Sequence, residues 1–80
     1  MNPEDVKSIL TSALTGCEVQ VEMQGSHFNI VAVGDIFQSK RAVQRQQLVY
    51  AALTEQISSG VIHAVNMKLF TPSEWQDRTL

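Results

Sequence analysis

Cysteine is almost absent from this chain of 80 residues, in which Cys17 is the only one. A single thiol cannot form an internal disulfide, and small domains without disulfides are typical of reducing compartments. The N-terminus carries neither a basic flank nor the apolar core of a signal peptide, so the sequence predicts a cytoplasmic protein. No apolar run reaches the roughly 18–20 residues that a membrane-spanning helix needs.

An excess of positive charge is also missing, because six Lys and Arg residues stand against eight Asp and Glu residues, for a net charge of −2. This balance argues against a protein whose main task is to bind nucleic acid. The chain has no HExxH or CxxC motif and no candidate Ser–His–Asp set, and its carboxylates are scattered, so we predict no enzymatic activity. With 44% apolar residues, residues 1–80 are expected to form a single domain with one modest core.

Hydrophobic periodicity predicts helix, strand, strand, helix, strand and short helix, at about residues 3–15, 17–23, 27–33, 40–58, 61–69 and 71–75. The tight turn at residues 24–26 makes the first two strands an antiparallel hairpin, and the second strand, which is the most apolar, is expected at the centre. The long helix allows the third strand to run parallel to the second. We therefore predict an α+β fold in which a three-stranded mixed sheet carries helices on one face.

The long helix is predicted to begin at about Lys40, after Ser39 as its cap, and to end before Gly60. Helical spacing selects a set of apolar positions as its buried stripe. These positions are Ala42, Val43, Val49, Tyr50, Ala52, Leu53 and Ile57.

The only two histidines, His27 and His63, each lie at the start of a predicted strand. A right-handed crossover makes these two strands parallel, so both starts lie at one edge of the sheet. Neighbouring strands are about 4.8 Å apart, so two imidazoles there can reach one metal ion or the edge of one cluster. They would supply half of a shared coordination shell. The alternative follows from alternation, which places His63 on the apolar face as a core-edge histidine and turns His27 outward, opposite to Phe28.

Three basic residues, Lys40, Arg41 and Arg45, lie near the start of the long helix, where free backbone N–H groups favour an anion. The alternative is that they form the solvated face of the helix. No glycine-rich phosphate loop is present. The segment VGDIF at 33–37 also lacks the second glycine with which a K-homology loop clamps a nucleic-acid backbone.

Several collinear segments resemble the BolA family, and together they cover nearly the whole chain. They are VGDIF at 33–37, residues 39–50 with RQQLVY at 45–50, residues 60–65 with IHA at 62–64, and TPSEW at 71–75. The short length and the segment GSHF at 25–28 most resemble the IbaG-type branch of this family.

The resemblance implies the αββαβ(α) arrangement of BolA-like proteins, which is related to class II K-homology domains. It also implies a heterodimer with a monothiol glutaredoxin of the CGFS type. In that heterodimer a [2Fe–2S] cluster is shared between the glutaredoxin, glutathione and the BolA-like protein. The family's C-terminal histidine ligand matches His63, and its variable second ligand matches His27. Cys17 lies outside this motif and receives no role.

Two imidazoles in place of two thiolates raise the potential of a cluster and hold it less tightly, which suits transfer or sensing. Protonation below about pH 6 would compete with iron. We expect Lys40, Arg41 and Arg45 to serve the docking of an acidic partner. Two other hypotheses stay open: a nucleic-acid-binding regulator with DNA as its ligand, as described for some members, and a module that binds glutaredoxin without metal.

Overall fold

The computed structural model describes residues 2–25 and 27–78. Four helices and three strands follow one another along the chain: α1 (Pro3–Ala13), β1 (Glu18–Gln24), β2 (His27–Val33), α2 (Ala42–Ala52), α3 (Thr54–Ser58), β3 (Ala64–Phe70) and α4 (Pro72–Asp77). A 3₁₀ turn at Asp35–Phe37 follows β2. Ser26, in the predicted hairpin turn, lies outside the described residues. None of the described helices is long and apolar enough to cross a bilayer.

The sheet has the order β1–β2–β3, which confirms the central position of the second strand. β1 pairs with β2 antiparallel, with Glu18 opposite Val33 and Gln24 opposite His27. β2 pairs with β3 in parallel. The predicted α+β fold with a three-stranded mixed sheet is therefore confirmed, and each strand lies within three residues of its expected start.

The core lies between one face of the sheet and helices α1 and α2, because apolar residues alternate along β2 and recur at helical spacing in both helices. Phe28, Ile30 and Ala32 are buried while the residues between them are half-buried. The buried set is completed by Val6, Leu10, Leu14, Val19, Phe37, Val49, Leu53 and Ile62. The opposite face of the sheet is polar, with the Asn66 amide donating to Asn29 Oδ1 across the strands at 3.2 Å.

Capping explains where the first and last helices begin. Asp5 N–H donates to the Asn2 side chain at 2.9 Å, and Glu74 N–H donates to Thr71 Oγ1 at 3.2 Å. Each helix then has proline in its first turn, where a missing N–H is harmless. Trp75 packs edge-to-face on Phe70 with ring centroids 5.4 Å apart. The predicted short C-terminal helix and its packing are confirmed.

The long helix differs from the prediction in its start and in its continuity. Ser39 adopts a left-handed conformation with φ of 62° instead of capping, and the helix begins at Ala42. It breaks at Leu53, where Thr54 Oγ1 donates to the carbonyls of Tyr50 and Ala51 at 3.0 and 3.1 Å. A threonine hydroxyl that competes for these carbonyls bends a helix, which accounts for the separate α3.

The predicted buried stripe of this helix was wrong at four of its seven positions. Ala42, Val43, Tyr50 and Ile57 are exposed, Ala52 is half-buried, and Val49 and Leu53 are fully buried. The core side of α2 is therefore narrower than helical spacing indicated. Val43, Tyr50 and Ile57 follow one another at intervals of seven residues, so their apolar side chains all face solvent.

Gly34 lies against Cys17 where β2 ends. A Cβ built on Gly34 would overlap Cys17 Sγ and approach Cys17 Cα to 3.2 Å. Gly34 has φ of −174°, which any residue adopts, so the constraint is contact rather than backbone strain. We predict that Gly34→Ala lowers the free energy of unfolding by about 1–3 kcal/mol, as overpacking does.

Urea denaturation of four proteins tests this prediction: the wild type, Gly34→Ala, Cys17→Ala and the double variant. Removal of the sulfur should reduce the cost of the added methyl group, so the two substitutions should not be additive. Equal costs of Gly34→Ala in both backgrounds would show that the contact with Cys17 does not explain this glycine.

Candidate metal-ligand site at the start of the parallel strands

His27 and His63 lie at the same end of the sheet, which we call the histidine rim. His27 is the first residue of β2 and is paired with Ala64, the first residue of β3. His63 immediately precedes Ala64 in the chain. The two backbone positions are therefore separated by about one strand spacing of 4.8 Å and one residue rise of 3.3 Å. Both histidines are exposed.

The hairpin determines the position of His27. Gln24 pairs with His27, and the turn begins at Gly25, whose φ of +64° suits glycine. Because Phe28 is buried toward the helices, alternation directs His27 to the polar face of the sheet. The outward orientation predicted for this residue agrees with the structure.

The position of His63 differs from the prediction by alternation. It is exposed and precedes the strand, so it is not a core-edge histidine. The core side chain of this segment is Ile62, which is 2% exposed, while Val61 is 48% exposed. A bend between residues 61 and 64 breaks the alternation that would have directed His63 inward.

The turn after α3 holds this bend in place. Gly60 has φ of +81°, and the N–H groups of Val61 and Ile62 both donate to the carbonyl of Gln56 at 3.1 Å. In the usual glycine-ended motif the apolar residue that packs back on the helix directly follows the glycine. Here that residue, Val61, is exposed and the anchor is Ile62, so no local sequence signal predicted it.

The donor set of the rim consists of two imidazoles. Neither imidazole has a hydrogen-bond partner among the residues that the structure describes. Within that part of the chain, no group of three or more His, Cys, Asp or Glu residues is placed to hold a metal ion. Imidazole nitrogens suit iron or zinc, but two of them fill only part of a tetrahedral shell. A metal ion at the rim would therefore need further ligands from another molecule.

Cys17 is at the other end of the sheet and cannot join the rim. It precedes Glu18, which pairs with Val33, whereas His27 is six residues away along β2. That separation is about 20 Å. Burial, with a smaller contribution from the Asp35 carboxylate, raises the pKa of the Cys17 thiol. A raised pKa disfavours the thiolate that a metal needs.

The three basic residues also lie far from the rim. Arg45 donates from Nη1 to the carbonyl of Leu69 at 3.1 Å, and Leu69 lies near the end of β3. Its Nε donates to the carbonyl of Lys40 at 3.0 Å. Because α2 runs back toward the strand starts, Lys40 and Arg41 are at the opposite end of the sheet from His63. Their predicted role in docking a partner is therefore separated in space from the histidine pair.

Arg45 is already engaged within the domain. Its side chain is 14% exposed, and Nη1 and Nη2 donate to the two carboxylate oxygens of Glu74 at 2.7 and 3.3 Å. This pair connects α4 to α2 and to β3. The hydrogen bonds from Arg45 and from Thr71 N–H lower the pKa of Glu74 to about 2. The structure thus gives Arg45 a structural contact that the sequence analysis did not predict.

We predict that Glu74 stabilises the fold across most of the acidic range. Its pKa is about 2 when folded, against an ordinary value of 4.5, so its contribution is complete above 4.5 and is lost as the pH falls toward 2. Glu74→Gln should therefore lower the free energy of unfolding at pH 7 and pH 5, with the difference shrinking below pH 4.5. Urea denaturation at several pH values measures it.

Glu55→Gln is the matched control, because Glu55 is an exposed carboxylate on α3 without an ion-pair partner among the described residues. It should leave the pH dependence of stability close to that of the wild type. A Glu74→Gln protein whose stability tracks the wild type at every pH would contradict the role of this contact.

Comparison with known proteins places these features in a family context. Residues 2–74 match the family model described as BolA-like protein. The chain is 44% identical to the acid stress protein IbaG of Escherichia coli K12, over all of this chain and 96% of that protein. The BolA protein homologue from Coxiella burnetii has a similar structure, with a TM-score of 0.83 and 32% identity over 95% of this chain and 97% of the other. A shorter match, 45% identical over 51 residues, covers 64% of this chain and 48% of the DNA-binding transcriptional regulator BolA of Haemophilus influenzae.

Proposed function

The chain belongs to the BolA-like protein family, and we propose that it is a non-enzymatic accessory protein of iron–sulfur cluster trafficking. In this proposal it binds a [2Fe–2S] cluster jointly with a monothiol glutaredoxin and glutathione. The observation that carries the proposal is the placement of His27 and His63 at adjacent starts of two parallel strands, both in solvent.

The chemistry of the rim suits a cluster that is cargo. Each iron of a [2Fe–2S] cluster takes two ligands besides the bridging sulfides, and the rim offers two imidazoles for one of the two irons. Imidazole ligands hold a cluster less tightly than thiolates do, which favours release to an acceptor. Because both histidines are exposed, a partner's cysteine and the thiol of glutathione can approach from solvent.

The family resemblance ranks the two histidines. His63 matches the C-terminal histidine ligand of BolA-like proteins, and His27 matches their variable second ligand. We therefore assign His63 as the principal ligand and His27 as the second one.

Reconstitution tests this function. The protein is mixed with a monothiol glutaredoxin, glutathione, ferrous iron and sulfide under anaerobic conditions, and the pair is isolated by size-exclusion chromatography. The proposal predicts a heterodimer with the visible absorption of a [2Fe–2S] cluster and with histidine-ligated iron by pulsed electron paramagnetic resonance after reduction. A stable but colourless pair would instead support the hypothesis of a metal-free interaction module.

The second candidate function is regulation through DNA. The name of the Haemophilus influenzae relative describes a DNA-binding transcriptional regulator, although the match spans about half of that protein. Binding at physiological salt with a steep salt dependence would support this candidate. The net charge of −2 and the neutralisation of Arg45 by Glu74 argue against it.

A further inference from the structure

The outer edge of β3 carries unpaired backbone groups. Gly34 N–H donates to the carbonyl of Phe70, so even-numbered residues of β3 bond to β2. The odd-numbered residues Val65, Met67 and Leu69 therefore direct their N–H and C=O groups away from the sheet. Among the described residues, the carbonyl of Leu69 alone has a partner on that side, the guanidinium of Arg45. An open edge of this kind is a template for another strand.

A groove runs along this edge. It has a volume of about 410 Å³ and lies between Ala42 and Gln46 of α2 and Met67 and Leu69 of β3. Four of its seven lining residues are uncharged, and the other three are Lys40, Arg45 and Glu74. Arg45 closes one end of the groove through its bonds to Leu69 and to Glu74. The groove thus lies beside the outward backbone groups of Met67 and Leu69.

The closed end of the groove is positively charged. The half-buried Lys40 and the exposed Arg41 lie there, and no carboxylate pairs with them within residues 2–25 and 27–78. The first turn of the eleven-residue α2 contains no acidic residue, so the positive end of its dipole is not compensated. This end favours a carboxylate. The strand at the opposite edge of the sheet, β1, carries Glu18 and Glu22, which would repel a carboxylate.

The groove does not suit a single-stranded nucleic acid. No aromatic side chain lines it, so bases have no stacking surface. A peptide needs neither stacking nor phosphate contacts, since the free N–H and C=O groups of β3 can pair with its backbone.

We propose that the groove between α2 and β3 binds an extended peptide segment that adds a fourth strand to the sheet. The segment carries acidic residues at the end next to Lys40 and Arg41. This site is at the opposite end of the sheet from the histidine rim and does not depend on the proposed metal function. It would allow the protein to hold a client or partner tail while the rim stays free.

Fluorescence anisotropy with a defined probe tests the proposal. The probe is a fluorescein-labelled peptide of alternating valine and threonine, about eight residues long to match β3, which ends in two aspartates. The same peptide ending in two lysines and an oligothymidine of similar length are the comparison ligands. We expect the acidic peptide to bind at least about tenfold more tightly than the basic one. Tighter binding of the oligothymidine would overturn the proposal in favour of nucleic acid.

Met67→Pro removes the outward N–H at the centre of the groove, and proline is tolerated where a strand edge faces solvent. This variant should bind the acidic peptide about fivefold or more weakly. Arg41→Glu should weaken it about threefold to tenfold, whereas the matched control Lys7→Glu, an exposed charge reversal on α1, should change it less than about twofold. Equal effects of Arg41→Glu and Lys7→Glu would refute the assigned charge contact.

Hydrogen exchange gives a readout on the unmutated protein if Met67→Pro does not fold. In the free protein the amides of Asn66 and Lys68 should exchange slowly and those of Val65 and Met67 quickly, since only the former bond to β2. Binding of the acidic peptide should slow the hydrogen exchange of the Val65 and Met67 amides. Protection that appears on β1, or on no strand, would overturn the proposal.

Discussion

Replacement of His63 by alanine should abolish the visible absorption of the cluster shared with a monothiol glutaredoxin. The substitution removes one of two nitrogen ligands that this chain offers, and Ile62 and Ala64 hold the backbone so that no neighbouring side chain can take its place. Loss of an outer-shell contact alone typically costs about 10–100-fold in metal affinity, so loss of a ligand should cost at least about 100-fold. The ratio of absorbance to bound iron and sulfide in the purified pair measures it.

Three further variants make this result specific. His27→Ala should reduce cluster retention less than His63→Ala does, because His27 is proposed as the second ligand. His63→Cys should retain a cluster with an altered spectrum, since a thiolate can replace an imidazole. Asn66→Ala, on the same strand but outside the rim, should retain the wild-type spectrum.

The apo-heterodimer provides the remaining control. His63→Ala should still form a complex with glutaredoxin in the absence of iron, because it changes a ligand and not the fold. A double variant of His27 and His63 that retains a full cluster would show that the ligands lie elsewhere. A variant that no longer binds apo-glutaredoxin would identify His63 as an interface residue instead.

Much of the fold could be predicted because local pattern and tertiary structure agree. The alternation of Val19 and Val21 with Glu18 and Gln20 matches a strand with one face on the core, and the short turn fixes β1 against β2. The order of the sheet follows from the apolar character of β2 and the handedness of the crossover. These are constraints that a few residues impose on their immediate neighbours.

The long helix could not be placed correctly because its burial depends on distant elements. Val43 and Tyr50 satisfy helical spacing, yet α1 and β3 cover only the side of the helix that carries Val49 and Leu53. The break at Leu53 depends on the hydroxyl of Thr54, which competes with the helix for the carbonyl of Tyr50. Spacing alone contains neither piece of information.

The candidate site could be predicted as a location but not as a complete centre. The topology placed His27 and His63 at one edge, and the register of β2 with β3 agrees with that expectation. The ligation itself stays a prediction, since the proposed centre needs further ligands from another molecule. Arg45 shows the converse, because its sequence position near a helix start gave no sign of its partner Glu74, which is 29 residues away.

Ile62→Ala should lower the free energy of unfolding far more than the neighbouring substitution Val61→Ala. Ile62 is 2% exposed and joins the core at the point where α3 returns to the sheet. Truncation of a buried isoleucine costs about 2–5 kcal/mol. A domain of this size has a total stability of about 4–12 kcal/mol, so the loss would be a large fraction of the whole.

Val61→Ala is the matched control, because Val61 is an adjacent apolar residue that is 48% exposed. Its substitution should change stability by no more than about 0.5 kcal/mol. Ile62→Val, which removes one methylene, should cost about 0.5–1.5 kcal/mol and leave the cluster spectrum intact. Urea denaturation of the three variants decides between two arrangements of this segment. A larger loss of stability for Val61→Ala than for Ile62→Ala would show that alternation is regular over residues 61–69. His63 would then point into the core edge and away from any partner.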